Sequence, residues 1–292
     1  MRFQRYTIVM KFVITGATGF VGSNLIPFLE KNGHSTVPVM RRDFADTGQL
    51  AAKLSGADVV INLAGAPIVA RWTASYMTQL KKSRVETTRK LVSAMEKASP
   101  KPTVLISASA VGLYPDFRQQ TESSFTLKHD FLAELCEEWE TAAREAEALK
   151  IRTVILRLGA VLGKGGSMIK KIRIPFLLGL GGRIASGKQG FSWIHIEDLC
   201  RLILFVAIQG GSGVYNAVSL NPVDNLQFTR ILARTLHRPA LLPVPEFALK
   251  LLFGKGARVL TSGQIVMPER ALREGFTFRH PTLKDALSEI FT

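Results

Sequence analysis

The apolar positions of this chain fall into two alternating textures. KFVIT (11–15), STVPVM (35–40), ADVVINLAG (57–65), TVLISAS (103–109) and RTVILRLGAVLG (152–163) are almost continuously apolar. Continuous apolarity marks strands covered on both faces, as in a parallel sheet. Between them, 20–33, 50–56, 73–98 and 130–150 carry apolar residues at helical spacing. The clearest is 130–150, where Phe131, Leu135, Trp139, Ala143 and Ala146 recur with acids between them. Asn32-Gly33 is a stop for the first helix, and Pro27 inside it is a place for a kink. Strands alternating with helices predict an α/β fold, a doubly wound parallel sheet of the Rossmann type.

The texture changes after Gly163. Residues 164–190 are Gly-rich and basic, 191–207 and VYNAV (214–218) return to the apolar pattern, and 221–292 holds short helical patterns with scattered prolines. The expected organisation is a nucleotide-binding domain of 10–163 with 191–220. A small C-terminal substrate domain of 164–190 with 221–292 accompanies it, and 1–9 is an extension. Lys11 interrupts the N-terminal apolar stretch and no small-residue cleavage site follows, so a signal peptide is not expected. No apolar run reaches the ~18 residues of a membrane span. Cys136 and Cys200 are too few for a disulfide framework, which points to a reducing, cytoplasmic setting.

The first strand runs into Gly16-Ala17-Thr18-Gly19-Phe20-Val21-Gly22 and then a helix. In that context Gly16 permits the tight turn, Gly19 lets backbone N–H groups approach a pyrophosphate, and Gly22 lets helix and strand pack closely. The helix N-terminus adds positive partial charge. The second strand ends in Met40-Arg41-Arg42, with Asp43 just beyond. A carboxylate in that place suits a free ribose hydroxyl, whereas a guanidinium pairs with a 2′-phosphate, so NADP is expected over NAD. Arg42 fits a solvated loop pair better than Arg41 does. Leu63-Ala64-Gly65 closes the third strand with small residues that admit the adenosine and diphosphate, while Asp58, at the other end, reads as structural.

Net charge is +15, and no acid occurs between Glu147 and Glu197, a gap that holds nine Lys and Arg residues. Such a field favours anionic partners or serves solubility alone. Without a Lys/Arg-rich tract or basic residues interleaved with aromatics, nucleic acid is not the expected partner.

Several segments in one order carry a resemblance: TGATGFVG (15–22), NLAGAPI (62–68), SRVETTRKL (83–91), SASAVGLY (107–114), DFLAELCEEWE (130–140), LGKGG (162–166), FLLGLGG (176–182) and SWIHIEDL (192–199). Together they resemble the YfcH-like epimerase-family proteins, atypical short-chain dehydrogenase/reductases of the NAD-dependent epimerase/dehydratase superfamily. PVPEFALKLLFG (243–254), SGQIVMPERAL (262–272) and GFTF (275–278) extend the likeness towards the C-terminus. The resemblance implies a Rossmann domain, a small C-terminal substrate domain and bound NADP. It places Thr18 to Val21 on the pyrophosphate, Met40 and Arg41 at the 2′-phosphate, and Leu63 and Ala64 beside the adenosine. Gln79 and Arg84 should face the cofactor, and Val161 should lie near its nicotinamide half. Ala66 stands where relatives often show Glu. Some relatives carry a cell-division-inhibitor label.

Extended members of that superfamily need a Tyr-x-x-x-Lys pair, in which the Lys lowers the phenol pKa for proton transfer, and an upstream Ser. The four tyrosines here, Tyr6, Tyr76, Tyr114 and Tyr215, are followed four residues on by Met10, Leu80, Arg118 and Ser219. Leu132 and Cys136 occupy the place of the pair. Ser109 matches the upstream serine, and Tyr114 with Arg118 is an imperfect echo, so Ser109 and Tyr114 are the catalytic candidates. Against this, Pro115 suggests that Tyr114 is a half-buried turn aromatic. Ser107 is expected to tuck against the sheet, Asp130 to act as a base or, more readily, a helix cap, and His195 to be a core residue or face the cleft. Cys136 reads as buried and inert, and no metal is expected. The functional expectation is an NADP-dependent oxidoreductase or nucleotide-sugar-epimerase-like protein acting on a small anionic carbonyl or hydroxyl compound, with Lys170, Lys171 and Arg173 on the substrate side. The alternative is a catalytically weak NADP-binding regulator or redox sensor. The acidic face of 134–147 favours a monomer or weak homodimer.

Overall fold

The computed structural model describes residues 9–116 and 118–292; the expected extension, apart from Val9, lies outside them. Six strands form one parallel sheet: β1 (Lys11–Thr15), β2 (Ser35–Val39), β3 (Val59–Asn62), β4 (Val104–Ala110), β5 (Arg152–Leu158) and, as the edge, Gly213–Ala217. Two short strands, β6 (Ala160–Leu162) and β7 (Trp193–His195), pair with each other beside it, so the edge strand is β8. The spatial order is β8-β5-β4-β3-β1-β2. The winding reverses between β1 and β3, and ligands of such sheets lie in the crevice beyond the carboxyl ends of the strands at that point.

The continuous apolar runs divide their residues between two layers, as a period of two requires. Phe12, Ile14, Ile61, Ile106 and Leu156 pack with α1 (Phe20–Lys31) and α7 (Ile196–Ile208). Val13, Val60, Leu105 and Ile155 pack on the other face, with α2 (Thr47–Leu54), α4 (Thr87–Lys97) and the end of α5 (Phe131–Arg144). α1 runs unbroken through Pro27. Asp46 caps α2 by accepting from Gly48 and Gln49, which starts that helix three residues earlier than the apolar pattern indicates. The helical run at 73–98 is continuous but not uniform: α3 (Ala74–Lys81) passes through one π turn, Lys82–Glu86, into α4. The strand expected over 57–65 ends at Asn62, and the one over 152–163 breaks at Gly159. There an added Cβ would stand 2.6 Å from the Ser192 carbonyl oxygen, so the chain leaves the main sheet to pair with β7. Asp58 is structural, accepting from the Lys11 N–H at 2.7 Å.

The C-terminal part is built on α6 (Ser167–Leu177), α8 (Asn225–Thr235), α9 (Glu246–Phe253) and α10 (Leu283–Phe291). Ile169, Phe176, Trp193, Phe228, Leu232, Leu283, Leu287 and Ile290 form its core. Ala271 and Phe276 instead join the core of the main sheet, so the 221–292 stretch serves both bodies. No helix among the described residues is long and apolar enough to cross a membrane.

Candidate cofactor crevice and substrate pocket

The glycine loop has the geometry its spacing predicts. Gly16 sits at φ +69° and its carbonyl accepts from the Gly19 N–H at 3.0 Å. A Cβ on Gly16 would come within 2.7 Å of Leu63 backbone atoms, and one on Gly22 within 2.5 Å of the Gly16 oxygen. Gly19 caps α1 without a side-chain hydrogen bond, and no acid lies in the first turn. The first-turn N–H groups of α1 therefore lack a side-chain acceptor, an arrangement suited to an anion. Thr18 and Gly19 are exposed, while Phe20 and Val21 are half-buried against the sheet core.

Across the crevice, a buried polar chain sets the β3 end. Thr15 Oγ1 donates to Asn62 Oδ1 (2.8 Å) and accepts from the Leu63 and Ala64 N–H groups (3.1 and 3.2 Å). Asn62 Nδ2 donates to Thr88 Oγ1 (2.8 Å) and Ser107 Oγ (3.2 Å), and Trp139 Nε1 also reaches Thr88 (3.1 Å). Ser107 is thus tucked into the sheet. The chemistry that positions Leu63 and Ala64 comes from residues that the sequence pattern does not single out as a set.

Arg84 lies on the π turn, a feature that often marks functional sites. Its Nη2 donates to the Ala66 carbonyl at 2.9 Å, and its guanidinium lies 5.4 Å from the Trp139 ring centre. A Cβ on Gly65 would meet Arg84 Cζ at 3.2 Å, so the glycine leaves room for the guanidinium at the strand end. Burial pulls its pKa below the usual guanidinium value. Gln79 is exposed on α3, and its side chain makes no hydrogen bond among the described residues. Val161 is half-buried on β6 and packs against the same core as Phe20.

At the end of β2, Asp43 turns back: it accepts from the Met40 N–H at 2.7 Å and from Lys53 Nζ at 2.6 Å. The Lys53 hydrogen bond, then that of Met40, holds the carboxyl below its ordinary pKa. The ion pair of Asp43 is with Lys53, so the alternative of a solvated loop pair with Arg42 is not seen. Arg41 and Arg42 are exposed and make no ion pair among the described residues.

Ser109 and Tyr114 meet in one chain of buried hydrogen bonds that runs on to the half-buried Glu122. Ser109 Oγ donates to Glu140 Oε1 (2.7 Å), and Arg157 grips both oxygens of Glu140 (2.8 and 2.9 Å). Arg157 Nη1 donates to the Tyr114 hydroxyl (2.8 Å), which donates to Asn216 Oδ1 (2.8 Å). The Asn216 N–H donates to Glu122 Oε1 (2.7 Å). Tyr114 is fully buried, not half-buried as its turn context suggests, and burial raises its phenol pKa. Burial opposes the charge of Arg157, but Glu140 outweighs it and holds the guanidinium above its ordinary value. Cys136 on α5 is buried, and burial with Glu140 nearby pushes its thiol up to about 11; burial takes Cys200 to about 12. Both thiols are inert at neutral pH.

A smaller polar cluster flanks this network. Asp130 caps α5 by accepting from Leu132 and Ala133, both at 3.0 Å. Its other oxygen lies 3.2 Å from Lys128 Nζ and 3.2 Å from Arg258 Nε. Lys128 Nζ is buried, 4.0 Å from Asp116, and no acceptor among the described residues meets it in hydrogen-bond geometry. Asp116 and Arg258 also line a cavity of about 330 Å³ with Lys250, Lys255, Thr261 and Ser262. Lys128 and Arg258 carry no motif, so only the fold brings them to Asp130. Lys170, Lys171 and Arg173 are exposed on α6 and outside this cluster.

His195 is a core residue. It caps α7, with its Nδ1 accepting from the Glu197 N–H (3.4 Å), so Nε2 carries the proton and meets Glu289 at 3.0 Å. Its ring packs against that of His280, centroids 4.0 Å apart and tilted by 51°, and His280 Nε2 lies 3.1 Å from Glu197. The two imidazoles and Glu197 have ligand atoms within 4.8 Å of one another. In this tautomer, however, neither His195 nitrogen offers a lone pair to a cation. Burial, then His280, lowers the His195 pKa below 6.5. The unfolded chain therefore binds more protons below 6.5, and stability falls as pH drops through that value towards the folded pKa. Buried His34 has the same sign, while Glu197, held low by His280 and Arg279 against partial burial, acts only in the carboxylate range. Urea midpoints for the wild type should fall between about pH 7.5 and 5.5. The slope should be shallower, not absent, for His195→Gln; parallel slopes would remove His195 from the account.

Two family models match the chain. The NAD dependent epimerase/dehydratase family covers residues 12–217, and a domain of unknown function, DUF1731, covers 244–290. The Epimerase family protein YfhF of Bacillus subtilis is 37% identical, with 96% of this chain and 98% of that protein aligned. The chloroplastic SDR39U1 homolog of Arabidopsis thaliana is 39% identical over 96% of this chain and 86% of that protein. The crystal structure of human epimerase family protein SDR39U1 with NADPH superposes with a TM-score of 0.90 at 34% identity, covering 96% and 99% of the two chains. A nucleoside-diphosphate sugar epimerase from Corynebacterium glutamicum reaches a TM-score of 0.79 at 30% identity, over 97% of this chain and 58% of that one. With a glycine loop, switch-point crevice and strand order of the matching kind, the chain belongs to the NAD dependent epimerase/dehydratase family.

Proposed function

We propose that the protein binds NADP(H) in the crevice between β1 and β3 and uses it on a small anionic carbonyl or hydroxyl compound. The YfcH-like branch is the subfamily this reading assumes. The observation that carries it is the pairing of an uncapped α1 N-terminus with an unpaired Arg41, while Asp43 is engaged by Lys53. The NADPH bound to human SDR39U1 supports the same assignment. Bound NADPH supplies a hydride; the chain supplies orientation and charge. Gly16, Thr18, Gly19, Phe20, Val21 and Gly22 hold the pyrophosphate, Met40 and Arg41 the 2′-phosphate, and Leu63 and Ala64 the adenosine side. Arg84 braces the 66 loop and adds positive charge at the strand end; Gln79 and Val161 border the cofactor. With Ser109 and Tyr114 committed to Glu140 and Arg157, the substrate's polar end falls to the Lys128–Asp130–Arg258 cluster, whose ammonium has hydrogens to donate. The sealed Tyr114 also favours the second reading, an NADP-binding regulator without turnover.

Binding titrations test the cofactor assignment. Wild type should prefer NADPH to NADH, and Arg41→Ala should lose about 10- to 100-fold in NADPH affinity with NADH unchanged, as expected for one charge-assisted contact. Equal affinities in wild type would overturn the reading. NADPH oxidation across a panel of anionic carbonyl compounds separates enzyme from regulator: turnover that is lost in Lys128→Met and kept in Tyr114→Phe supports the first.

A further inference from the structure

A groove of about 840 Å³ lies along α8 and the segment that follows it. Its walls hold four arginines, Arg183, Arg230, Arg234 and Arg238, together with His237, and no carboxylate. All five are exposed. The arginines are of two kinds. Arg183 and Arg238 are anchored by main-chain carbonyls: Arg183 Nη1 donates to Ala185 and Ser186 (3.0 and 2.8 Å), and Arg238 Nε donates to Leu177 (3.1 Å). Arg230 and Arg234 stand one turn apart on α8 and make no hydrogen bond or ion pair through their guanidinium groups among the described residues.

Basic side chains near a helix C-terminus complement its dipole, which accounts for Arg234 and Arg238. It does not account for Arg183, which reaches the groove from another loop, or for Arg230, more than a turn from the helix end. Four cations around one groove repel each other, and nothing in its lining neutralises them. Guanidinium groups bind phosphate oxygens through paired hydrogen bonds, two to a phosphate. Apart from Thr229 the remaining wall is apolar, with Leu226, Ala233, Pro239 and Leu241 among it. The volume suits a ligand of nucleotide size. The α8 side of the groove lies between the two stretches that the family models match. None of its lining residues belongs to the cofactor crevice.

We propose that this groove is a second anion site, separate from the crevice, for a soluble ligand carrying two or more phosphate groups on an apolar body. Arg183 and Arg238 are the fixed half of the site, and Arg230 and Arg234 close on the phosphates. The ligand stays in place through charge, so its affinity falls with added salt.

Isothermal titration with ATP and with tripolyphosphate tests this on the full chain, with and without saturating NADPH. Both probes should bind wild type with a dissociation constant below about 1 mM, ATP the tighter because the apolar wall contributes. The double substitution Arg230→Gln with Arg234→Gln should weaken both by at least about 30-fold, since each removes a charge-assisted contact. Its NADPH affinity should be unchanged, and its thermal midpoint should fall by no more than about 3 °C, because both residues are exposed and only Arg234 loses a contact with the helix dipole. Binding that NADPH abolishes and the double substitution spares would place the probes in the crevice and overturn the proposal. Failure of both probes to bind wild type would also overturn it.

Discussion

Glu140→Ala should destabilise the protein by about 3–5 kcal/mol, because it leaves the Arg157 guanidinium buried without its counter-charge. Both residues are about 5% exposed, and the carboxylate takes two Arg157 hydrogen bonds and that of Ser109. The loss should appear as a lower urea midpoint at unchanged slope. Tyr114→Phe removes only a hydroxyl shared by Arg157 and Asn216 and should cost about 1–3 kcal/mol. Replacing the pair together, Glu140→Leu with Arg157→Met, should recover much of the loss, since burying two charges is itself costly. A silent Glu140→Ala would mean that water reaches Arg157. The series also bears on chemistry. If Tyr114 donated the proton to substrate, Tyr114→Phe would stop turnover, and the network account would give way to a catalytic one.

The sequence foretold the crevice better than the network, for a physical reason. Main-chain geometry dictates the glycine loop: Gly16 needs positive φ and Gly22 must admit the loop backbone, so residue type at fixed spacing carries the information. Buried strands announce themselves by continuous apolarity. The Ser109–Glu140–Arg157–Tyr114–Asn216 chain draws on β4, α5, β5, the turn after β4, and β8. No local pattern links such positions. Glu140 in particular looks like one more acid on the solvent face of an amphipathic helix, yet it is buried. Reading Ser109 and Tyr114 as an open catalytic pair follows from their motif, and their partners lie 17 to 102 residues from them or from each other. Lys128 was equally illegible, because its significance lies in burial beside Asp130. The π turn at Lys82–Glu86 was hidden too, since it changes helix register without changing composition.

Gly22→Ala should cost more function than its single methyl group suggests. The new Cβ would stand 2.5 Å from the Gly16 oxygen, 2.7 Å from Ala17 Cα and 2.9 Å from the Ala17 carbonyl carbon. All three belong to the loop backbone, so no side chain can swing away. Either α1 or the loop must move by about an ångström, and overpacking of that kind costs about 1–3 kcal/mol. The same shift takes the first-turn N–H groups away from where a pyrophosphate would sit, and a displacement of that size can cost about 100-fold in a positioned interaction. NADPH affinity should therefore fall by about 100-fold, measured by fluorescence titration, the upper end of the loss expected for Arg41→Ala. Gly33→Ala is the matched control. Gly33 ends α1 at φ +83° with nothing within 4 Å of an added Cβ, so it pays only the left-handed backbone penalty of about 1–2 kcal/mol. Its NADPH affinity should match wild type. If Gly22→Ala bound NADPH as wild type does, the loop would be a folding device alone, and the crevice would lose its claim to the cofactor.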